Sequence, residues 1–270
     1  MIRQLLLVLM LCLGGTASLT PQPSAFRYRA ERSRDGLVLH YRKSNLDGTH
    51  PSHLFLFAAA PDRLESFKWA DGDTVATLVK AWMDTTRLTV RRFEASRISQ
   101  GSSRPTATLE ALSGSDQLEV VVADNRSTAT IGHWPWHSYD FDFAGLGWAI
   151  RHLVAPEGRF AIGIGDVDQA APGVPIKDWG PVDVAFVKRE RWHGRETRRY
   201  SIDGEGLLHE GGTLWVDLAT GFLAGYEIAL PDEPGMKNDR VVLVETLPMT
   251  ESRWPDFQRE HLTPKSRSPR

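Results

Sequence analysis

From about Phe26 onward, apolar and polar residues alternate with a period of two over much of the chain. A half-buried strand reads this way, because successive side chains leave a pleated backbone on opposite faces. Leu37, Leu39 and Tyr41 fall on one face. At 54–57 both faces are apolar, with Leu54 and Leu56 on one and Phe55 and Phe57 on the other. The alternation continues through 75–83 around Trp82, through Leu88 and Val90, and over 118–123. Turn-forming residues punctuate these runs at 33–36, 45–48, 71–73 and 113–116. This spacing predicts successive antiparallel hairpins rather than strand–helix–strand units.

The second half carries the clearest hairpins. Residues 182–192 and 195–202 read as two strands joined by His193-Gly194, since glycine supplies the positive φ that a two-residue hairpin turn requires. Residues 213–217 lead through Ala219-Thr220-Gly221 into 222–230, and 240–246 reads as a last strand. Helical spacing is confined to two places. Phe143, Leu146, Ile150 and Leu153 form one stripe, with Asp140 or Asp142 as its expected cap, and 250–262 carries Trp254 and Phe257. Many antiparallel strands with few helices must bury one face. The expected fold is therefore mainly β: a strongly curved antiparallel sheet, a half-barrel or barrel, with one or two short helices.

The N-terminus changes the picture of where this sheet works. Arg3, the apolar run 5–13 and the small residues Gly15 and Ala17 match a secretory signal peptide over 1–17. A linker over 18–25, a single β domain over 26–262 and a disordered basic tail over 263–270 complete the expected organisation. The apolar run is too short to span a bilayer, so no transmembrane span is expected after cleavage, and the expected location is periplasmic or secreted. The only cysteine, Cys12, lies inside the signal. Leu9, Met10 and Leu11 precede it where a lipidation site needs small residues. The exported chain then has no thiol for a disulfide, a nucleophile or a zinc–thiolate site. With 32 Lys+Arg against 34 Asp+Glu, nothing pulls the chain toward nucleic acid.

The segment Gly212-Thr-Leu-Trp-Val-Asp-Leu-Ala-Thr-Gly221 resembles a W-x-D-x-x-T-G hairpin of the periplasmic lipoprotein carriers, the LolA/LolB-like half-barrel family. Trp215, Asp217, Thr220 and Gly221 occupy the pattern. The resemblance implies a curved antiparallel sheet with an apolar concave face and a lipid or lipoprotein ligand. It implies no catalytic residue. Independently of the family, Asp217 can accept from the turn amides and Gly221 can take a left-handed conformation.

The densest cluster of chemistry-bearing side chains spans 133–148. Its aromatics Trp134, Trp136, Tyr139, Phe141, Phe143 and Trp148, together with Trp215, are the expected ligand-binding residues of the concave face. Its polar members His133, His137, Asp140 and Asp142 are the candidate metal ligands of an alternative reading, a metal-dependent hydrolase. Pro135 breaks any continuous helix, and no H-E-x-x-H or similar motif supports the metal. Residues 188–199 hold six Lys/Arg with Glu190 and Glu196 between them, a pattern that cross-strand pairing explains as well as an anionic partner does. Gly163-Ile-Gly165 lacks the third glycine of a dinucleotide fingerprint and reads as a strand. There is no P-loop, G-x-S-x-G or S-x-x-K motif. No cofactor is expected. The reading is a non-catalytic exported β protein that binds a hydrophobic or amphipathic ligand or an envelope partner.

Overall fold

The computed structural model describes residues 25–99, 102–167, 176–231 and 235–262. The expected signal peptide and the tail lie outside these residues. The chain is mainly β, 58% strand. The strands are β1 (Leu37–Ser44), β2 (Ser52–Ala60), β3 (Arg63–Ala70), β4 (Val75–Asp84), β5 (Thr89–Ser99), β6 (Ser102–Ala111), β7 (Gln117–Val122), β8 (Asn125–Thr130), β9 (Trp136–Ser138), β10 (Arg159–Val167), β11 (Ile176–Trp192), β12 (Arg195–Asp203), β13 (Gly212–Asp217), β14 (Leu223–Ile228) and β15 (Asp239–Pro248). All belong to one sheet in the order β8-β7-β6-β5-β4-β3-β2-β1-β15-β14-β13-β12-β11-β10-β9. Every pairing is antiparallel except that of β9 with β10.

The topology is a meander whose two arms meet at β1 and β15. The outermost strands, β8 and β9, are consecutive in the chain and joined only by residues 131–135. The six Cα steps from Thr130 to Trp136 span at most about 22 Å, which obliges the sheet to curl until its edges approach. The sheet is not closed, since β8 and β9 do not pair. A hydrogen bond of 2.9 Å from the Gly132 amide to Asp178 ties the link to β11.

The two faces of the sheet bury two separate cores. On the inner face, Leu39, Leu54, Leu64, Leu109, Ile164, Tyr200 and Tyr226 converge from both arms. The stretch that follows β9 fills the space between them. It contains the short helix α1 (Ala144–Ala149), all of whose residues are buried, and a 3-10 turn at Ile150–His152. On the outer face, Val38, Phe55, Phe57, Phe67 and Trp69 lie under Trp254 and Leu262 of helix α2 (Trp254–Leu262). The doubly apolar stretch at 54–57 is thus explained: β2 is covered on both sides.

The local turn chemistry matches expectation. His193 (φ 45°) and Gly194 (φ 79°) turn β11 into β12. Asp217 accepts hydrogen bonds from the Ala219 and Thr220 amides at 2.9 and 2.7 Å, and Gly221 sits at φ 75°. One expectation is corrected. Neither Asp140 nor Asp142 caps α1; Phe143 precedes it in the left-handed region with no side-chain cap, because the Asp142 carboxylate is taken by two lysines.

Candidate functional site

The aromatic cluster at 134–148 is brought together, but as core. Trp136, Tyr139, Phe141, Phe143 and Trp148 are all buried. Tyr139 donates to the Leu230 carbonyl at 2.7 Å and Trp148 to the Pro61 carbonyl at 2.9 Å, so both polar tips are satisfied within the protein. Trp134 is half-buried beneath the Arg87 guanidinium, 4.8 Å from its ring. Trp215 lies apart, on the β13 face opposite Leu214. There it stacks on Trp192 at 4.3 Å and donates to Glu190 at 2.9 Å. The space left beside the inner segment, between Tyr41, Leu56, Phe143 and Leu223, is about 10 Å³. That is about the room for one water and far below a ligand pocket.

The four candidate metal ligands are not brought together, and among the described residues no three His, Cys, Asp or Glu side chains are placed to hold a metal ion. His133 is exposed in the link before β9, whereas His137 is fully buried in β9. Neither His137 ring nitrogen has a hydrogen-bond partner among the described residues. Burial alone pushes its pKa down to about 3. Asp140 is exposed. Asp142 is buried between Lys43, at 2.5 Å, and Lys68, at 3.3 Å. Asp239 lies 3.7 Å from Lys43 and accepts from the Tyr226 hydroxyl at 2.7 Å. The cluster at 142 therefore fastens the inner segment to β1 and β3. Five of the six basic residues at 188–199 are matched by acids: Lys188 by Glu190, Arg189 and Arg198 by Glu157, Arg191 by Glu196 and Arg195 by Asp217, while Arg199 lies over the Trp215 ring.

A cavity of about 780 Å³ lies instead on the outer face, between the sheet and α2. Its floor is built by strand register. His40 of β1 pairs with Phe55 of β2, and His53 of β2 with Trp69 of β3, so the four rings stack on one another across the strands. They are nearly parallel: His40 and Phe55 are 4.1 Å apart at 7°, Phe55 and Trp69 5.1 Å apart at 9°, and His53 and Trp69 4.8 Å apart at 15°. Phe257 and His261, four residues apart on α2, form the wall. Phe257 stands at 71° to Phe55 and His261 at 63° to Trp69. The rim is polar and comprises Asp71, Gly72, Asp73 and Thr74 from the β3–β4 turn, Glu245 from β15 and Glu260 from α2.

A hydrogen-bonded chain crosses the floor. Glu245 faces His40 Nδ1 at 3.1 Å, His40 Nε2 faces His53 Nδ1 at 3.0 Å, and His53 Nε2 faces Asp71 at 2.8 Å. A carboxylate only accepts, so His40 carries its proton on Nδ1. His53 Nε2 is contested, because Arg42 donates to the same nitrogen at 2.6 Å. Burial lowers the His40 pKa, with the Glu245 hydrogen bond acting in the opposite sense. The His53 hydrogen bond holds the Asp71 carboxyl below its ordinary value. His261 Nδ1 donates to the Phe257 carbonyl at 2.8 Å, which leaves Nε2 as the acceptor of the neutral ring. The pocket can thus take a flat or apolar body against its rings and a polar head at its rim.

Sequence reasoning missed this site. Its residues come from β1, β2, β3, the β3–β4 turn, β15 and α2, which are scattered along the chain. The available signal was the doubly apolar stretch at 54–57 together with the aromatics of the closing helix.

No family model matches the chain, and no curated protein matches it. Among solved structures, one from Vibrio parahaemolyticus described as a "putative outer membrane lipoprotein-sorting protein domain" aligns over 86% of this chain and 94% of its own, at 8% identity and a TM-score of 0.21. A likeness at that score carries no argument about function.

Proposed function

We propose that this is an exported, non-catalytic binding protein that takes an amphipathic small molecule in the pocket between the outer face of β1–β3 and α2. One observation carries the reading. The outer face holds a cavity of about 780 Å³ lined by rings and rimmed by polar groups, within the usual size of a ligand site, while the inner face is filled by the chain's own side chains. The N-terminal signal pattern supports periplasmic or secreted placement, and so does the resemblance of the W-x-D-x-x-T-G hairpin to that of the periplasmic lipoprotein carriers. The aromatic residues at 134–148 serve this function indirectly, by holding the sheet that carries the pocket floor.

The test uses N-phenylnaphthylamine, a neutral apolar fluorophore. Its emission should rise on mixing with the protein, and Phe257→Glu should abolish the rise. Phe257 is half-buried on α2, so the substitution places a charge in the pocket wall while sparing the buried Trp254 and Leu262. Undiminished binding by a folded Phe257→Glu protein would overturn the reading.

A further inference from the structure

The ring-lined pocket carries an asymmetry of charge that its apolar lining does not require. Among the described residues its lining includes four carboxylates, those of Asp71, Asp73, Glu245 and Glu260, and no lysine or arginine. Burial disfavours the charged form of His40, and His261 Nδ1 donates to the Phe257 carbonyl. Two arginines reach the rim from outside, Arg42 to Asp71 at 3.4 Å and Arg253 to Glu260 at 2.9 Å. Among the described residues, Asp73 and Glu245 remain as charge that no arginine answers: Asp73 is exposed at the mouth, and Glu245 is bonded to the His40 ring.

Resting on the pocket assignment above, we infer that the ligand is an organic cation: a free small molecule with a substituted ammonium head and an aromatic or apolar body. Two features of the pocket favour this class over a neutral or anionic amphipath. Phe55, Trp69 and Phe257 line the pocket, and an aromatic ring attracts a cation through its quadrupole. The carboxylate rim adds attraction for a positive head and repels a negative one. A substituted ammonium is weakly hydrated and large, so it can leave water for such a site, and its alkyl groups match the Phe257 and Leu247 lining.

Three probes share one ring and differ in charge: benzyltrimethylammonium, benzyl alcohol and benzenesulfonate. Calorimetric titration of the full chain should show the ammonium binding about tenfold more tightly than the alcohol, and the sulfonate more weakly than either. The double substitution Asp73→Asn with Glu245→Gln removes the two carboxylates that no arginine answers, both at exposed rim positions. It should bring the ammonium down toward the alcohol and leave the alcohol unchanged. Equal affinities for ammonium and alcohol, or a preference for the sulfonate, would overturn the cation assignment while leaving the pocket assignment intact. Binding of none of the three, together with fluorophore binding that survives Phe257→Glu, would overturn both. Capture of the protein by phosphatidylcholine vesicles with no binding of the free ammonium would overturn the assignment of a free small molecule.

Discussion

The two faces of the sheet carry similar side chains and do different things with them. Each has a layer of aromatic rings, histidines and acid–base pairs. The inner layer is covered by the chain itself: β9 and the segment after it lay Trp136, Tyr139, Phe143 and Trp148 against strands from both arms, and every one of them is fully buried. The outer layer is covered by a nine-residue helix, which reaches over Phe57 and Phe67 with Trp254 but leaves a cavity where Phe55 and Trp69 meet Phe257 and His261. Aromatic density therefore does not mark the ligand site. What marks it is the mismatch between the area of the apolar face and the length of the element that covers it.

The largest effect expected from breaking this contrast is on the inner side. Asp142→Asn keeps a side chain that tolerates the left-handed backbone at φ 50° but removes the anion between Lys43 and Lys68. Removing one member of a buried ion pair costs about 3–5 kcal/mol. Denaturant unfolding should show a loss in that range, while fluorophore binding per folded molecule stays unchanged. A loss below about 1 kcal/mol would show that the inner segment is held by packing alone.

On the outer side, Trp254→Ala removes a ring that is 2% exposed and donates to Glu65 at 2.9 Å. Large-to-small changes of this kind cost about 3 kcal/mol or more. Here stability and binding should fall together, because α2 is the pocket wall. Retained binding in this variant would detach α2 from the site.

Smaller effects separate the faces through pH. His137 and His152, with pKa values lowered by burial to about 3 and about 4, are held neutral in the folded state. The unfolded chain protonates them near 6.5, so their contribution is present above that pH and is lost as pH falls toward 3. Asp166 runs the other way. Burial, with Asp140 nearby, raises it to about 8 against 3.8 unfolded, so its contribution is present at low pH and is lost as pH rises from about 4 to 8. Asp239, raised to about 6 chiefly by burial, acts in the same sense as Asp166. The opposing groups offset one another between about pH 4 and 6. Above about 6.5, Asp166 acts alone, and stability should fall by about 1.4 kcal/mol per pH unit up to 8. Asp166→Asn should abolish that fall, since an amide oxygen can still accept from the Asp140 amide and Ser138. A variant with an unaltered alkaline limb would remove Asp166 from the account.

What could be read from the sequence follows from how local each feature is. The 193–194 and 217–221 turns were legible because their chemistry is complete within a few residues. Strands with one clean apolar face, such as β1 and β4, were legible for the same reason. β3 was not, because its buried positions include Glu65 and Ser66, and Lys68 turns inward to Asp142; buried polar groups erase the alternation. β8 escaped because it is a polar edge strand with exposed residues. The aromatic content of 134–148 was plain, but whether those rings line a space or fill it depends on strands far away in sequence. The pocket was hidden more completely still, since its polar chain joins Glu245, His40, His53 and Asp71 only after β15, β1, β2 and β3 pair.

The central claim is that ligand enters the outer layer and not the inner one. Fluorine NMR of fluorotryptophan-labelled protein tests it directly, with each resonance assigned by its Trp→Phe substitution. On titration with N-phenylnaphthylamine, the Trp69 resonance should shift while those of Trp136 and Trp148 stay in place. A shift at Trp136 or Trp148 with Trp69 unmoved would place the ligand in the inner layer and contradict the account.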